Sequence, residues 1–150
     1  MEKLTIDYTR FKPVATLPAE DRMLVEKARL ALETAYAPFS GFKVGAAVLM
    51  DDGEVFTSNN QESEVFPAGM CAERSLLYYV QANYSDRKVE AIAIASEPAE
   101  KECYPCGICR QVLFDAEKRQ GAPIRVIMSG RHSATVVDSA KSLLPFTFEL

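Results

Sequence analysis

Residues 70–111 decide the fold, and they read MCAERSLLYYVQANYSDRKVEAIAIASEPAEKECYPCGICRQ. The stretch predicts a helix over residues 70–82, a strand of small and branched side chains over 89–96, and a helix over 106–119 opened by Pro105. It holds all four cysteines of the chain, three of them near the starts of the two helices. A strand between two helices is typical of an α/β protein.

The sequence before this stretch predicts a helix and a hairpin. Apolar side chains recur at intervals of three and four over residues 17–35, as on an amphipathic helix. A short apolar strand over 44–50, an Asp-Asp-Gly turn and a second strand over 54–58 then form the hairpin. Residues 59–69 are polar and are predicted to be a loop.

The rest of the chain completes the predicted sheet. Residues 124–128 and 135–137 are expected to be strands, whereas residues 1–16 are expected to be irregular. The order of elements is α-β-β-α-β-α-β-β, which indicates helices on a mixed sheet. We therefore expect one three-layer α/β/α domain over residues 1–150, with about five strands.

Composition narrows the class of protein. The chain has 150 residues, a net charge of −4, 48% hydrophobic and 25% charged residues, as in ordinary globular proteins. The negative charge argues against a nucleic-acid partner, because phosphate binding needs a basic face. No run approaches the ~20 apolar residues of a membrane span, and the first residues lack the apolar stretch of a signal peptide. A cytoplasmic protein without a membrane partner is expected.

The cysteines indicate a metal site. There is one histidine, His132, which excludes sites built on three histidines. Cys106 and Cys109 are three residues apart, so they share one face of the predicted helix, and Cys71 lies 35 residues upstream. Helix N-termini favour thiolates. Three thiolates with an open fourth position are typical of catalytic zinc.

Glu73 adds a reactive group two residues after Cys71. Zinc lowers the pKa of a water molecule, and a nearby carboxylate that does not bind the metal can move the proton. Other interpretations of the cysteines are a redox pair, a structural zinc site and part of an iron–sulfur ligand set. Cys103 is expected to be a spare thiol that packs as a small hydrophobic residue.

The sequence resembles the short-chain, homotetrameric, zinc-dependent cytidine deaminases. The resemblance covers roughly residues 20–148 and follows the family's order. Its motifs are AYAPFS at 35–40, FKVGAA at 42–47, NQE at 60–62, CAER at 71–74, PCGICRQ at 105–111 and LLP at 143–145.

The resemblance implies hydrolytic deamination of cytidine or deoxycytidine at C4, with release of ammonia, in pyrimidine salvage. It implies one zinc per subunit on Cys71, Cys106 and Cys109, with Glu73 as the catalytic proton shuttle. The implied substrate contacts are Phe42 on the base, Ala72 through its backbone, Asn60 and Glu62 on the ribose hydroxyls, and Phe66 and Phe148 near neighbouring sites. A homotetramer is implied as well.

Two further residues are expected to surround the zinc ligands, namely Arg74 and Gln111. Three thiolates and one Zn²⁺ sum to a charge of −1, which makes a bound water harder to ionise. Arg74 can draw charge from the sulfurs through hydrogen bonds.

The loop at residues 63–66 departs from the family pattern. Ser63 stands in place of a larger amide, Glu64 in place of a small residue, and Phe66 in place of tyrosine. If these side chains line the pocket, the changes would weaken nucleoside binding or favour a positively charged ligand. The alternative hypothesis is therefore the same chemistry on a cationic cytosine nucleoside such as a blasticidin-type antibiotic. A hypothesis of another class is a non-catalytic, zinc-stabilised binding module. A polynucleotide editor is disfavoured by the net charge.

Overall fold

The computed structural model describes residues 1–150 and contains three α-helices and six strands. The helices are α1 (Ala19–Leu30), α2 (Ala72–Asn83) and α3 (Gly107–Gln120). The strands are β1 (Thr9–Phe11), β2 (Lys43–Met50), β3 (Val55–Asn59), β4 (Val89–Glu97), β5 (Arg125–Ser129) and β6 (Ala134–Val137). None of the helices combines the length and the apolar character that crossing a membrane requires.

The strands form one mixed sheet in the order β1-β6-β5-β4-β2-β3. Strands β4 and β5 run parallel, and every other neighbouring pair runs antiparallel. The parallel pair is joined through α3, because parallel strands need a crossover connection. The predicted mixed sheet is thus confirmed.

Two apolar cores lie on opposite faces of the sheet. Alternate residues of β2 divide between them, so that Val48 belongs to one core and Leu49 to the other. The core that contains Val48 is shared with Leu76 of α2 and Leu113 of α3. The opposite core is shared with the α1 residues Leu24, Val25 and Ala28. The predicted three-layer α/β/α arrangement is confirmed.

The sequence predicts about five strands and irregular structure over residues 1–16, whereas the sheet has six strands, one of which lies within those residues. Thr9–Phe11 forms β1, which pairs antiparallel with β6 in the register Thr9↔Val136. A three-residue strand leaves almost no periodic signal in the sequence. Its backbone pairing depends on the free edge of β6, which only the folded sheet provides.

The first helix is also shorter than predicted. It ends at Leu30, and a 3₁₀ turn continues over Ala31–Thr34. The side chain of Asn59 in β3 donates from Nδ2 to the carbonyl of Ala31 at 2.8 Å and to Oγ1 of Thr34 at 2.7 Å. These bonds use acceptors at the end of the helix, so tertiary contact selects the tighter turn.

Candidate active site

The two helices on one face of the sheet begin directly after cysteines. Cys71 and Cys106 are the N-cap residues of α2 and α3, with extended backbone (ψ 153° and 168°). The sequence predicts helices that begin at residues 70 and 106, two positions and one position before the observed starts, and so places both cysteines inside the helices. Their carbonyls accept the first helical hydrogen bonds, from Ser75 N and Arg110 N, each at 2.9 Å. The unpaired N–H groups of two helix starts therefore lie beside these cysteines.

Three thiols come together at these helix starts. The Sγ atoms of Cys71, Cys106 and Cys109 lie within 4.8 Å of one another. Cys109 is buried, Cys71 is half-buried and Cys106 is exposed. A hydrogen bond from Cys109, aided by Arg74, lowers the pKa of Cys71 to about 5 despite burial. The donor Cys109, which is also buried, has its pKa raised well above the usual range.

This donor set fits zinc. Zn²⁺ binds thiolates at about 2.3 Å, so sulfurs this close can reach one ion, and three protein ligands leave a position open. The cluster already favours one thiolate among its three sulfurs, which suits a cation. Cys103 lies outside the cluster and in the core, as predicted, and burial raises its pKa to about 12.

Glu73 is buried at the start of α2, with 4% of its surface exposed. Burial raises the pKa of its carboxyl group to about 7, because hydrogen bonds that lower the pKa offset only part of the effect of burial. A carboxyl group with a pKa near neutrality can take up and release a proton under ordinary conditions. The backbone of α2 therefore holds a proton carrier two residues after Cys71.

Arg74 lies against the thiol cluster. Its Nη2 donates to Sγ of Cys71 at 3.6 Å, and this bond is the main reason that the pKa of the guanidinium is raised. Its buried Nε atom has no hydrogen-bond partner. The positive charge of Arg74 is thus held in a partly desolvated position beside a sulfur.

Backbone hydrogen bonds connect the loop after β3 to the residue that precedes Cys71 and α2. Gln61 and Met70 exchange two backbone hydrogen bonds, of 2.9 and 2.8 Å. Tyr36 donates to the carbonyl of Asn60 at 3.0 Å and accepts from Glu62 N at 2.9 Å. Because Met70 precedes Cys71, these bonds fix the loop at residues 60–62 relative to the thiols.

A cavity of about 410 Å³ opens beside the thiol cluster. It brings together five of the residues predicted from the sequence, namely Asn60, Glu62, Phe66, Cys71 and Arg74. The other lining residues are Phe39, Ser40, Gln61, Ser63, Gly69 and Met70.

The remaining predicted contacts are placed elsewhere. Phe42 lines a second cavity of about 350 Å³ together with Cys103 and Tyr104. Ala72 is fully buried, and Phe148 is 71% exposed. Gln111 donates to Oδ1 of Asp115 at 2.9 Å, and no hydrogen bond joins it to a cysteine.

Two residues of the site are missing from the sequence-based set. Ser40 donates to the carboxylate of Glu62 at 2.5 Å. Arg110 donates to the carbonyl of Pro105 at 2.8 Å and to that of Leu143 at 3.3 Å. These two bonds connect the residue before Cys106 to the C-terminal segment. The Ser40-Gly41 pair predicts a turn, but no local sequence pattern predicts which groups Ser40 and Arg110 contact.

Comparison with known sequences agrees with this geometry. Residues 18–121 match the family described as the cytidine and deoxycytidylate deaminase zinc-binding region. A cytidine deaminase of Halalkalibacterium halodurans is 43% identical over 96 residues, which cover 63% of this chain and 70% of that protein. One of Mycobacterium tuberculosis is 36% identical over 93 residues, or 62% of this chain and 68% of that protein.

Solved structures show the same fold. A crystal structure of cytidine deaminase from Burkholderia pseudomallei has a TM-score of 0.73 and 38% identity, covering 85% of this chain and 98% of that chain. That of the Mycobacterium tuberculosis enzyme has a TM-score of 0.69 and 31% identity, with 86% and 97% covered. The chain belongs to the zinc-binding cytidine and deoxycytidylate deaminase family.

Proposed function

We propose how this chain carries out the reaction of its family, the hydrolytic deamination of cytidine to uridine with release of ammonia. The chain is an enzyme, a hydrolase that uses one Zn²⁺ per subunit. The observation that carries the proposal is the cluster of three thiols within 4.8 Å, with the buried carboxyl group of Glu73 two residues after Cys71.

Cys71, Cys106 and Cys109 would hold the zinc. When bound, the ion supplies Lewis-acid chemistry that makes water a nucleophile near neutral pH. Arg74 donates to Cys71 and offsets part of the negative charge of three thiolates. The helix N-termini at Cys71 and Cys106 act in the same direction.

Glu73 is the proposed catalytic residue. Its carboxylate takes one proton from the attacking water and delivers it to the ring nitrogen N3. It then takes the second proton from the hydroxyl group added at C4 and delivers it to the departing amino group. One water enters, the C4–N bond breaks and ammonia leaves. The pKa of about 7 suits both directions of transfer. A structural zinc site would have no use for such a group.

The cavity beside the thiols is the proposed nucleoside site. Asn60 and Glu62 line this cavity and would offer polar groups to the ribose hydroxyls. Phe42, which lines the second cavity, is the further proposed contact to the face of the base, and the backbone of the buried Ala72 is the proposed contact to its polar edge. The cavity volume of about 410 Å³ falls in the range of small-molecule sites.

Several finer features complete the proposal. Phe66 and Phe148 are 75% and 71% exposed, which suits side chains that reach a neighbouring site in a homotetramer. Residues 1–150 would act as a single domain, since both apolar cores share one sheet. A role in pyrimidine salvage in the cytoplasm is proposed from the substrate.

The test is a substrate panel on the zinc-loaded protein. Cytidine, deoxycytidine and a cationic cytosine nucleoside are compared by loss of the cytosine chromophore, with zinc measured per chain and oligomeric state by sedimentation. We expect turnover of cytidine or deoxycytidine at about one zinc per chain. Failure to turn over either nucleoside at full zinc content would overturn the proposed substrate.

A further inference from the structure

The loop before β2 is tied to Glu62 by three hydrogen bonds. Oε1 of Glu62 accepts from the backbone N–H groups of Phe39 and Ser40, at 3.0 and 3.1 Å. Oε2 accepts from the hydroxyl of Ser40 at 2.5 Å. Ser40 therefore contacts both oxygens of one carboxylate.

The orientation of the Ser40 hydroxyl is fixed from its other side. Phe42 N donates to Oγ of Ser40 at 3.0 Å, so the only proton of that hydroxyl is free to point at Glu62. Gly41 allows this short turn because its φ of 66° lies in the left-handed region. Phe42 is held at its carbonyl too, by Asn60 Nδ2 at 2.9 Å.

The two carboxylate oxygens of Glu62 differ in the number of hydrogen bonds that they accept. A carboxylate oxygen accepts about two hydrogen bonds. Oε1 of Glu62 already has two, whereas Oε2 has one, from Ser40. The remaining acceptor site of Oε2 belongs to a side chain that lines the 410 Å³ cavity.

We propose that Ser40 is a positioning residue for substrate recognition. Its hydroxyl group, held by the N–H of Phe42, orients Glu62 so that Oε2 can accept a hydrogen bond from a hydroxyl group of the nucleoside sugar. This inference rests on the proposed role of Glu62 as a ribose contact. Ser40 itself need not touch the substrate. Its contribution is a preformed carboxylate, which lowers the ordering needed on binding.

The chain offers a matched control. Ser139 donates to Oε1 of Glu117 at 2.5 Å and accepts from Lys141 N, two residues later, at 3.3 Å. This is the same pair of hydrogen bonds as at Ser40, but it lies outside the cavity beside the thiols. Ser139→Ala removes it without touching residues 39–62.

The experiment compares cytidine with 2′,3′-dideoxycytidine, which lacks the 2′- and 3′-hydroxyl groups of the sugar, on the zinc-loaded enzyme. For Ser40→Ala we expect KM for cytidine to rise about tenfold while kcat changes less than about threefold, as for loss of one hydrogen bond. With the dideoxynucleoside, the variant and the wild type should agree within about twofold. Ser40→Thr, which keeps the hydroxyl, should restore the KM for cytidine to within about threefold, and Ser139→Ala should leave it unchanged.

Other outcomes overturn the inference. An unchanged KM in Ser40→Ala, or an equal loss for both nucleosides, would mean that Ser40 only stabilises the loop. Ser40→Cys, which keeps the volume but has a weak donor, repeats the test if the alanine variant unfolds. Glu62→Ala tests the proposed role of Glu62 separately from that of Ser40. If Glu62→Ala keeps the wild-type ratio of KM values for the two nucleosides, the proposed role of Glu62 fails together with the inference. If Glu62→Ala changes this ratio but Ser40→Ala does not, the inference alone fails.

Discussion

The guanidinium group of Arg74 donates from Nη2 to Sγ of Cys71 over 3.6 Å. The two residues are one helical turn apart at the start of α2, so the helix itself sets their separation. A cation placed in this way can stabilise a thiolate cluster without being a metal ligand.

Arg74→Ala should lower activity and leave zinc bound. Removal of the charge returns electron density to the sulfurs and raises the pKa of water at the metal, for which a loss of about 10- to 100-fold is typical. The measurement is kcat/KM together with zinc per chain, and exposed Arg119→Ala is the control. Full activity of Arg74→Ala at normal zinc content would contradict this role.

Glu73→Gln should retain zinc but lose at least about a thousandfold in kcat, within the range for a general acid–base group. The amide has nearly the same shape as the carboxyl group and cannot exchange the proton. Exposed Glu26→Gln serves as the control for a change of charge. Activity within tenfold of the wild type would contradict the role of Glu73 as the catalytic proton carrier.

Removal of zinc should make the thiols reactive toward alkylation in a defined order. In the chelated protein at pH 7–8, a thiol-alkylating reagent should label exposed Cys106 and half-buried Cys71, whereas Cys103 should stay unlabelled. Burial keeps Cys103 protonated, with a pKa of about 12, and the thiolate is the reactive form. Peptide mass spectrometry gives the sites, and Cys103→Ala should leave the labelled count unchanged. Labelling of Cys103 before Cys106 would be inconsistent with this order.

Glu102 should make folding stability depend on pH. Burial alone would raise the pKa of its carboxyl group, but hydrogen bonds from Ser133, Thr135 and Tyr104 outweigh it and hold the pKa below its usual range. The first two hydroxyls lie at 2.6 Å. A lowered pKa means that the stabilisation is complete above the unfolded-state pKa, and is lost as the pH falls through the folded-state value.

Glu102→Ala should therefore lower the free energy of unfolding at pH 7 by about 2 kcal/mol, the usual scale for hydrogen bonds to a charged group. The deficit should shrink as the pH falls below about 4. The control is Glu100→Ala, whose exposed ion pair with Arg131 at 3.4 Å should contribute less than about 1 kcal/mol. Urea unfolding across the pH range measures both variants, and a deficit that grows in acid would have the wrong sign.

Gly45→Ala should destabilise the contact between α1 and β2. A Cβ atom at this position would lie 2.0 Å from the carbonyl oxygen of Ala28, which is backbone and cannot rotate away. Moving the helix should reduce the free energy of unfolding by about 1–3 kcal/mol. Gly107→Ala is the matched control, since a Cβ there meets nothing within 4 Å. Equal stability of the two variants at equal zinc content would contradict the close approach.

The sequence predicts much of the fold because its core strands are short runs of apolar residues separated by turn residues, which is a local signal. Val48 and Leu49, adjacent in β2, face opposite cores, as their alternation requires. Strand β1 carries no comparable signal, because its three residues depend on pairing with β6. The end of α1 is likewise set by Asn59, which is 28 residues from Ala31 in sequence.

For the site, the sequence by itself determined the residue types: the spacing of Cys106 and Cys109 on one helix, the motif that joins Cys71 to Glu73, and the near absence of histidine. Spacing along a helix is a local property, so it can be read before folding. Only the tertiary structure decided which groups meet, because contacts between Cys71 and Cys109, or between Ser40 and Glu62, depend on how separate segments pack. The burial that raises the pKa of Glu73 has the same origin, since desolvation is a property of the packed core and not of the motif.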